Sequence, residues 1–546
     1  MKKHFILFLL CICISVCFIS LFQKENEIEI YLYQEDIELA IYINDEETNA
    51  IPSKEGNIYD ETRSSCTNGA YIIWDYESWS PIIKNMSEYK TTCELYFKTG
   101  YKESILNGMD PVLKEPLIPI TIDKAGTVKK ADIGSAWYSY ENKEWANAVI
   151  LFDESKDYLA GEVIPESEIE SYFVWIPKYR YQLWDLGLYD SLTSIDTSKV
   201  HEIPIIFGDY NTSDNVSGEC TTTMESGATG NCQIGDYMTH PAFLSIPSTG
   251  FWVGKFETGY NGATSTTEAE QNVNDSSKII VKPNAYSWRN INLANIHFTS
   301  YNYQRDLDSH AIKNTEWGAV AYLQHSKYGS ATSVRINNYS SYLTGYQANE
   351  EPTCGWTGTN LECNRYCDDG TCNRAYPNSV LASTTGNISG IYDMSGGAHE
   401  YVMGAMTDSD GNLLSGGNSQ SYSGFKGALG DGGVITSGYD WPEEKYYDKY
   451  IYNTSDRNYQ ARILGDFTGE AGPFFIVTPP GSVNRNSSSW YNDDGWFITN
   501  ENPLFVRSYE ARFGNSAGMF IFLGASGVET DVTGFRIVLT PIEGII

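Results

Sequence analysis

The sequence predicts an α+β protein with few helices and many loops, preceded by a small β-sandwich-like module and an N-terminal membrane helix. Three observations predict it. The chain carries 48 Gly, 40 Tyr and 13 Trp, a profile of turns and aromatic strands, not of disorder, in which aromatics are scarce. Only two stretches have a convincing helical pattern. An apolar run stands at the very start.

That run extends from Phe5 to Phe22, interrupted only by Ser15 and Ser20, behind the basic Met1-Lys2-Lys3-His4. Eighteen residues fall between a signal-peptide core and a full spanning helix. No small-x-small cleavage site follows, and Val16 is a poor residue to precede a lipidated Cys17. Lys2 and Lys3 stay inside by the positive-inside rule. Residues 1–23 are therefore expected to be an uncleaved single-pass anchor, with the bulk of the chain extracellular; cleavage would make the protein secreted.

Residues 24–100 read as a small β module. Glu27 to Tyr33 alternates polar and apolar, as a half-buried strand does. Asn68-Gly69 is a turn signal. A Cys66–Cys93 bridge would close a loop of roughly 27 residues and stabilise so small a unit by about 3 kcal/mol. Residues 101–165 carry short apolar strands, among them 116–122 and 137–152, and form either a linker or lead-in strands. From 166 to 546 the chain stays aromatic and loop-rich without a low-complexity break, and reads as one large domain.

Two helices are expected there. One follows Ser287-Trp288-Arg289-Asn290 and runs through Ile291, Leu293, Ala294 and Ile296. The other spans 314–323, where Asn314 or Thr315 can cap, Glu316 favours the positive end, and Trp317, Val320 and Ala321 share a face. Both read as scaffold.

The 70 acidic residues against 37 basic give a net charge of −33. Such a surface repels phosphate backbones, so nucleic acid is a poor partner, and it supplies carboxylates suited to Ca²⁺. Beyond the apolar run lie eight cysteines: Cys66, Cys93, Cys220, Cys232, Cys354, Cys363, Cys367 and Cys372. An even number outside a membrane segment reads as a disulfide framework. Zinc is the competing reading for the compact last four, but CxxC pairs are absent.

Three segments, in order, carry a family resemblance. Thr315-Glu316-Trp317 opens a helix. Asn387-Ile388-Ser389-Gly390-Ile391-Tyr392-Asp393-Met394-Ser395-Gly396-Gly397-Ala398-His399-Glu400-Tyr401-Val402 is the longest and most specific. Gly534-Phe535-Arg536 opens the closing strand. Together they resemble the formylglycine-generating enzyme, or sulfatase-modifying factor, family, a branch of the C-type lectin-like fold, over roughly residues 166–543. Gly397 stands where that family has Asn, and His399-Glu400-Tyr401 where it has Trp-Glu-Trp.

The resemblance implies a structural Ca²⁺ held by Glu400 and the carbonyls of Ser395, Gly396 and Ala398. It implies no copper: the oxidase members hold copper with a cysteine pair near the C-terminus, and here no cysteine follows Cys372. The chain is therefore expected not to be an enzyme of that type. The fold's other use is display. Residues 506–533 interleave Tyr, Arg, Phe and Asn with small residues, a binding-loop composition, and resemble the variable region of proteins diversified by retroelements. The expected ligand contacts are Arg507, Tyr509, Glu510, Arg512, Phe513, Asn515, Phe520 and Phe522.

Other constellations are weaker. No His-Glu-x-x-His occurs among the seven His. Gly514-Asn515-Ser516-Ala517-Gly518 spells a nucleophile elbow, but no His follows His399 to complete a triad. Asp368-Asp369-Gly370 and Asp408-Ser409-Asp410-Gly411 are short Ca²⁺-loop-like turns. The sequence thus predicts a surface binding or adhesion protein whose partner is a protein or glycan on a host or microbial surface. A divergent enzyme of the same family and a purely structural envelope protein are the alternatives.

Overall fold

The computed structural model describes six strands between residues 37 and 99 and most of the chain from residue 110 onward; residues 1–36, 100–109, 184–201, 209–222, 225–236, 364–372, 414–421, 452–461, 471–476, 484–496, 509–516 and 542–546, with shorter stretches, lie outside the described residues. The chain divides into two compact units, Met1–Asn107 and Gly108–Ile546.

In the first unit, strand Thr91–Thr99 runs parallel to Ile37–Ile43 and antiparallel to Tyr59–Cys66. Glu46–Thr48 completes a four-stranded sheet. A separate two-stranded ribbon pairs Tyr71–Asp75 with Ser80–Lys84. Cys66 lies directly opposite Cys93 in the ladder, and a disulfide joins them. The strand expected at 27–33 lies outside the described residues.

The second unit is built on a seven-stranded antiparallel sheet. Its order is His310–Ala311, Ile537–Leu539, Gly250–Gly254, Ile169–Pro177, Asn147–Leu151, Ile118–Ile122 and Val128–Lys130. Three of its strands come from the stretch that the sequence left as linker or lead-in, so residues 118–151 belong to this unit's core. The inner strands are covered on both faces: all five residues of Asn147–Leu151 and of Gly250–Gly254 are buried. That is why they read as continuous apolar runs and show no alternation.

A second, five-stranded sheet centres on His399–Thr407. This strand pairs in parallel with Asp448–Ile451 and Thr533–Phe535, and antiparallel with Leu504–Arg507, which in turn pairs Phe522–Ala525. The chain crosses from this sheet to the seven-stranded one at a single residue. Thr533–Phe535 belongs to the five-stranded sheet, Ile537–Leu539 to the other, and Arg536 stands between them.

The longest helices among the described residues are Leu293–Tyr301 and Asn314–Gln324, of 9 and 11 residues, with short 3-10 turns. Two expectations are corrected by this. The α+β class gives way to a sheet-rich fold, because no other described stretch sustains a 3.6-residue pattern long enough to bury a helical face. The single-pass membrane placement is not supported: no described helix is long and apolar enough to cross a membrane, a span needing about 20 apolar residues. The expected anchor at 5–22 itself lies outside the described residues.

The helices also start and pack differently from expectation. The first starts at Leu293 and not at Ile291, capped by Asn292, whose side chain accepts from Asn295 N at 2.9 Å. Lys313 is the N-cap of the second, and Glu316 reaches back to accept from Lys313 N at 2.8 Å. Every residue of that helix is buried. It is a core helix without a solvent face, which frees Asn314 and Thr315 to bind across the interior.

Candidate functional site

The residues proposed from sequence separate into two places. Arg507 and Phe522 end one strand and begin the next, paired across the ladder. Both are buried, as is Phe520. Phe520 packs on His325 and Phe467 with ring centroids 4.7 and 4.6 Å away. The Arg507 guanidinium stands 5.5 Å from the Phe522 ring centre. Its Nε donates to Asn314 Oδ1 at 2.6 Å, Nη1 to Ile521 O at 3.2 Å and Nη2 to Asp466 O at 2.5 Å. These three residues are buried and packed in the interior. The sequence offered no way to separate them from Tyr509, Glu510, Arg512, Phe513 and Asn515, which lie outside the described residues.

The two described ends of this segment, Ser508 and Ala517, are tied to one turn. Ser508, at φ +54°, donates through Oγ to Gly396 O at 2.7 Å. Gly396 N donates to Ala517 O at 2.8 Å, and Ser395 Oγ donates to the same carbonyl at 3.2 Å. Trp317 Nε1 holds Met519 O at 2.9 Å. The turn itself demands glycine. Gly396 has φ +77°, and a Cβ there would stand 2.2 Å from Ile336 Cγ2 and 2.4 Å from Asn337 O.

Ser395, Gly396, Ala398 and Glu400 were expected to hold Ca²⁺, and their contacts do not fit an ion. Both Glu400 oxygens accept from Arg536, at 2.7 Å from Nη2 and 3.0 Å from Nε, so a cation already sits there. The Gly396 carbonyl takes Ser508. Ala398 contributes its N–H, which donates to Glu257 Oε1 at 2.9 Å. Among the described residues no group of three His, Cys, Asp or Glu is arranged to hold a metal.

What this segment builds is a buried charge cluster at the crossing of the two sheets. Arg536 also donates to Gly254 O at 2.8 Å and Tyr392 O at 3.0 Å. Glu257 Oε2 accepts from Ser287, and Asp393 Oδ1 accepts from Asn337 Nδ2 and Gly345 N at 2.9 and 2.8 Å. Burial drives all three carboxyls up, Glu400 to about 7 despite Arg536, with Glu257 and Asp393 also raised. Sequence reasoning missed Glu257 and Asp393 as partners of Glu400. The available signal was charge directly after an apolar strand, in Lys255-Phe256-Glu257.

The eight cysteines fare unevenly. Cys66–Cys93 is bonded. Cys354 and Cys363 are opposite one another in a two-stranded ladder. Cys220, Cys232, Cys367 and Cys372 lie outside the described residues. A cleft of about 660 Å³, lined by Leu117, Lys130, Leu151, Glu154 and Asp157 among others, was not anticipated. Within its lining Lys130 pairs with Asp157 at 2.7 Å, and Gln304 Nε2 donates to Glu154 Oε1 at 2.8 Å.

Compared with protein-family models and with curated proteins, the chain matches none.

Proposed function

We propose that this is a non-catalytic binding protein, related to the formylglycine-generating enzyme family without its copper thiolates, that presents residues 509–516 to a protein or glycan ligand. The observation that carries the reading is the shared clamp: Ser508 and Ala517 are both fastened to the Gly396 turn, and Arg507 is locked beneath. Fixing both ends of a recognition segment reduces the entropy lost on binding. Tyr509, Arg512 and Phe513 supply the aromatic and guanidinium anchors that dominate recognition surfaces. The disulfide and the acidic surface suit an oxidising setting without nucleic acid.

The test is binding of the purified full chain to a glycan array and to a displayed peptide library, beside a Tyr509→Ala, Arg512→Ala, Phe513→Ala triple variant. Loss of the signal in the variant with unchanged melting supports the reading. Signals that survive the substitutions sink it, and so would turnover of a cysteine-containing peptide, which would favour the divergent enzyme.

A further inference from the structure

Close to the Arg507 anchor lies a group that the proposed function does not use. Glu470 is fully buried, and its Oε1 accepts from Tyr181 OH and Gly465 N, each at 2.6 Å. The Tyr322 hydroxyl faces the same carboxyl. None of these partners is a cation. Four residues earlier, Asp466 is buried as well; it accepts from Thr468 N and Oγ1 at 2.7 Å, from Asn314 Nδ2 at 3.0 Å and from Tyr450. Arg507 is the cation beside Asp466 and donates to its backbone oxygen. Two buried carboxyls thus share one short segment with one guanidinium, and a second negative charge there would be uncompensated.

We propose that Glu470 is a proton-operated latch beside the Arg507 anchor. Protonated, it lets Gly465 and Asp466 stay packed against Tyr181 and Arg507; ionised, it loosens them and the Arg507 anchor, so binding weakens as pH rises toward neutrality. The effect on binding rests on the display reading above; the latch itself does not.

The charge environment supports this. Burial pushes the Glu470 carboxyl up to about 7. An opened form with an ordinary carboxyl near 4.5 ionises first, so the closed form is favoured in acid and gives up that advantage between about pH 4.5 and 7. Groups interacting with it are Tyr179 and Tyr181 of strand Tyr179–Gln182, Tyr322 of helix Asn314–Gln324, and Asp466; around its neighbours Gly465 and Asp466 stand His240, Arg507, and Tyr450 and Asp448 of strand Asp448–Ile451. The tyrosines are raised by burial and stay neutral. His240 is held down at about 3 by burial and stays neutral too. Asp466 and Asp448 are also raised by burial, Asp448 to about 6, so a substitution at Glu470 is needed to separate their contribution.

The experiment is hydrogen exchange of the full chain, read at the Gly465 and Thr468 amides and corrected for intrinsic rate, from pH 5 to 8. Protection should fall on the order of tenfold or more up to about pH 7 and then level off. Glu470→Gln should flatten that fall. Tyr181→Phe, which removes a donor favouring the charged carboxyl, should move the midpoint upward and serves if the Gln variant does not fold. Protection independent of pH in the native chain, or an equal fall in Glu470→Gln, overturns the latch. None of these readouts needs a ligand, so failure of the display reading is seen separately.

Discussion

Two buried ion clusters in the second unit, equally dry, carry opposite charge balances. At Arg536 one guanidinium faces Glu257, Asp393 and Glu400, and all three carboxyls are raised. At Glu316 one carboxylate faces two bases: His310 Nε2 at 3.1 Å and Lys313 Nζ at 3.4 Å, with Lys313 N donating at 2.8 Å. Burial also pushes Glu316 up, but Lys313 and His310 outweigh it and hold the carboxyl at about 2. Burial alone therefore does not set the charge state. The ratio of cations to carboxylates inside the same cavity does.

The largest expected effect breaks the first cluster. Arg536→Met leaves buried carboxyls without their cation and should cost about 3–5 kcal/mol, or abolish folding; urea unfolding measures it. A loss under about 1 kcal/mol would mean that the carboxyls are already neutral and independent of Arg536. Next comes the turn that joins this cluster to the loop. Gly396→Ala adds a Cβ at φ +77°, 2.2 Å from Ile336, and should destabilise by about 2–4 kcal/mol. An unchanged melting temperature would show that the turn yields.

Glu316→Gln sharpens the comparison through its pH sign. A depressed carboxyl contributes stability above its ordinary value near 4.5, and that contribution is lost as pH falls toward about 2. The variant should lose about 1–3 kcal/mol at neutral pH and show a shallower acid limb. The Arg536 cluster has the opposite sign: the contribution of Glu400 declines as pH rises from about 4.5 to about 7. Native and Glu400→Gln chains melted across that range should converge at low pH, and parallel curves would contradict the assignment. The smallest effect is the exposed control. Lys327 pairs Glu141 at 3.1 Å with both side chains about half exposed, and Lys327→Ala should change stability by less than about 0.5 kcal/mol.

Part of this was legible beforehand. The Cys66–Cys93 partners were readable because a small β module offers few other cysteines. The helix at 314 was readable because Glu316 three residues past a break is a start signal. Its cap was not, since Lys313 serves through its backbone alone. The Ser395–Glu400 segment was read as a Ca²⁺ site, and in the structure its glutamate is paired with a guanidinium. A glutamate beside glycines suggests an oxygen cage for an ion, and nothing local reveals that a guanidinium 136 residues away takes both oxygens. Likewise the alternation of Arg507, Phe520 and Phe522 with small residues fits a recognition loop or an interior strand equally well.

By itself, the sequence determined net acidity and the two short helical stretches, because these depend on composition and on local sterics; the α+β class it predicts gave way to a sheet-rich fold. Only the tertiary structure decided which charges meet. Glu257, Asp393, Glu400 and Arg536 come together where the chain passes from one sheet to the other, and Asp466, Glu470 and Arg507 where the loop leaves it. Electrostatic energy depends on distances in space and on exclusion of water, and neither quantity is written along the chain.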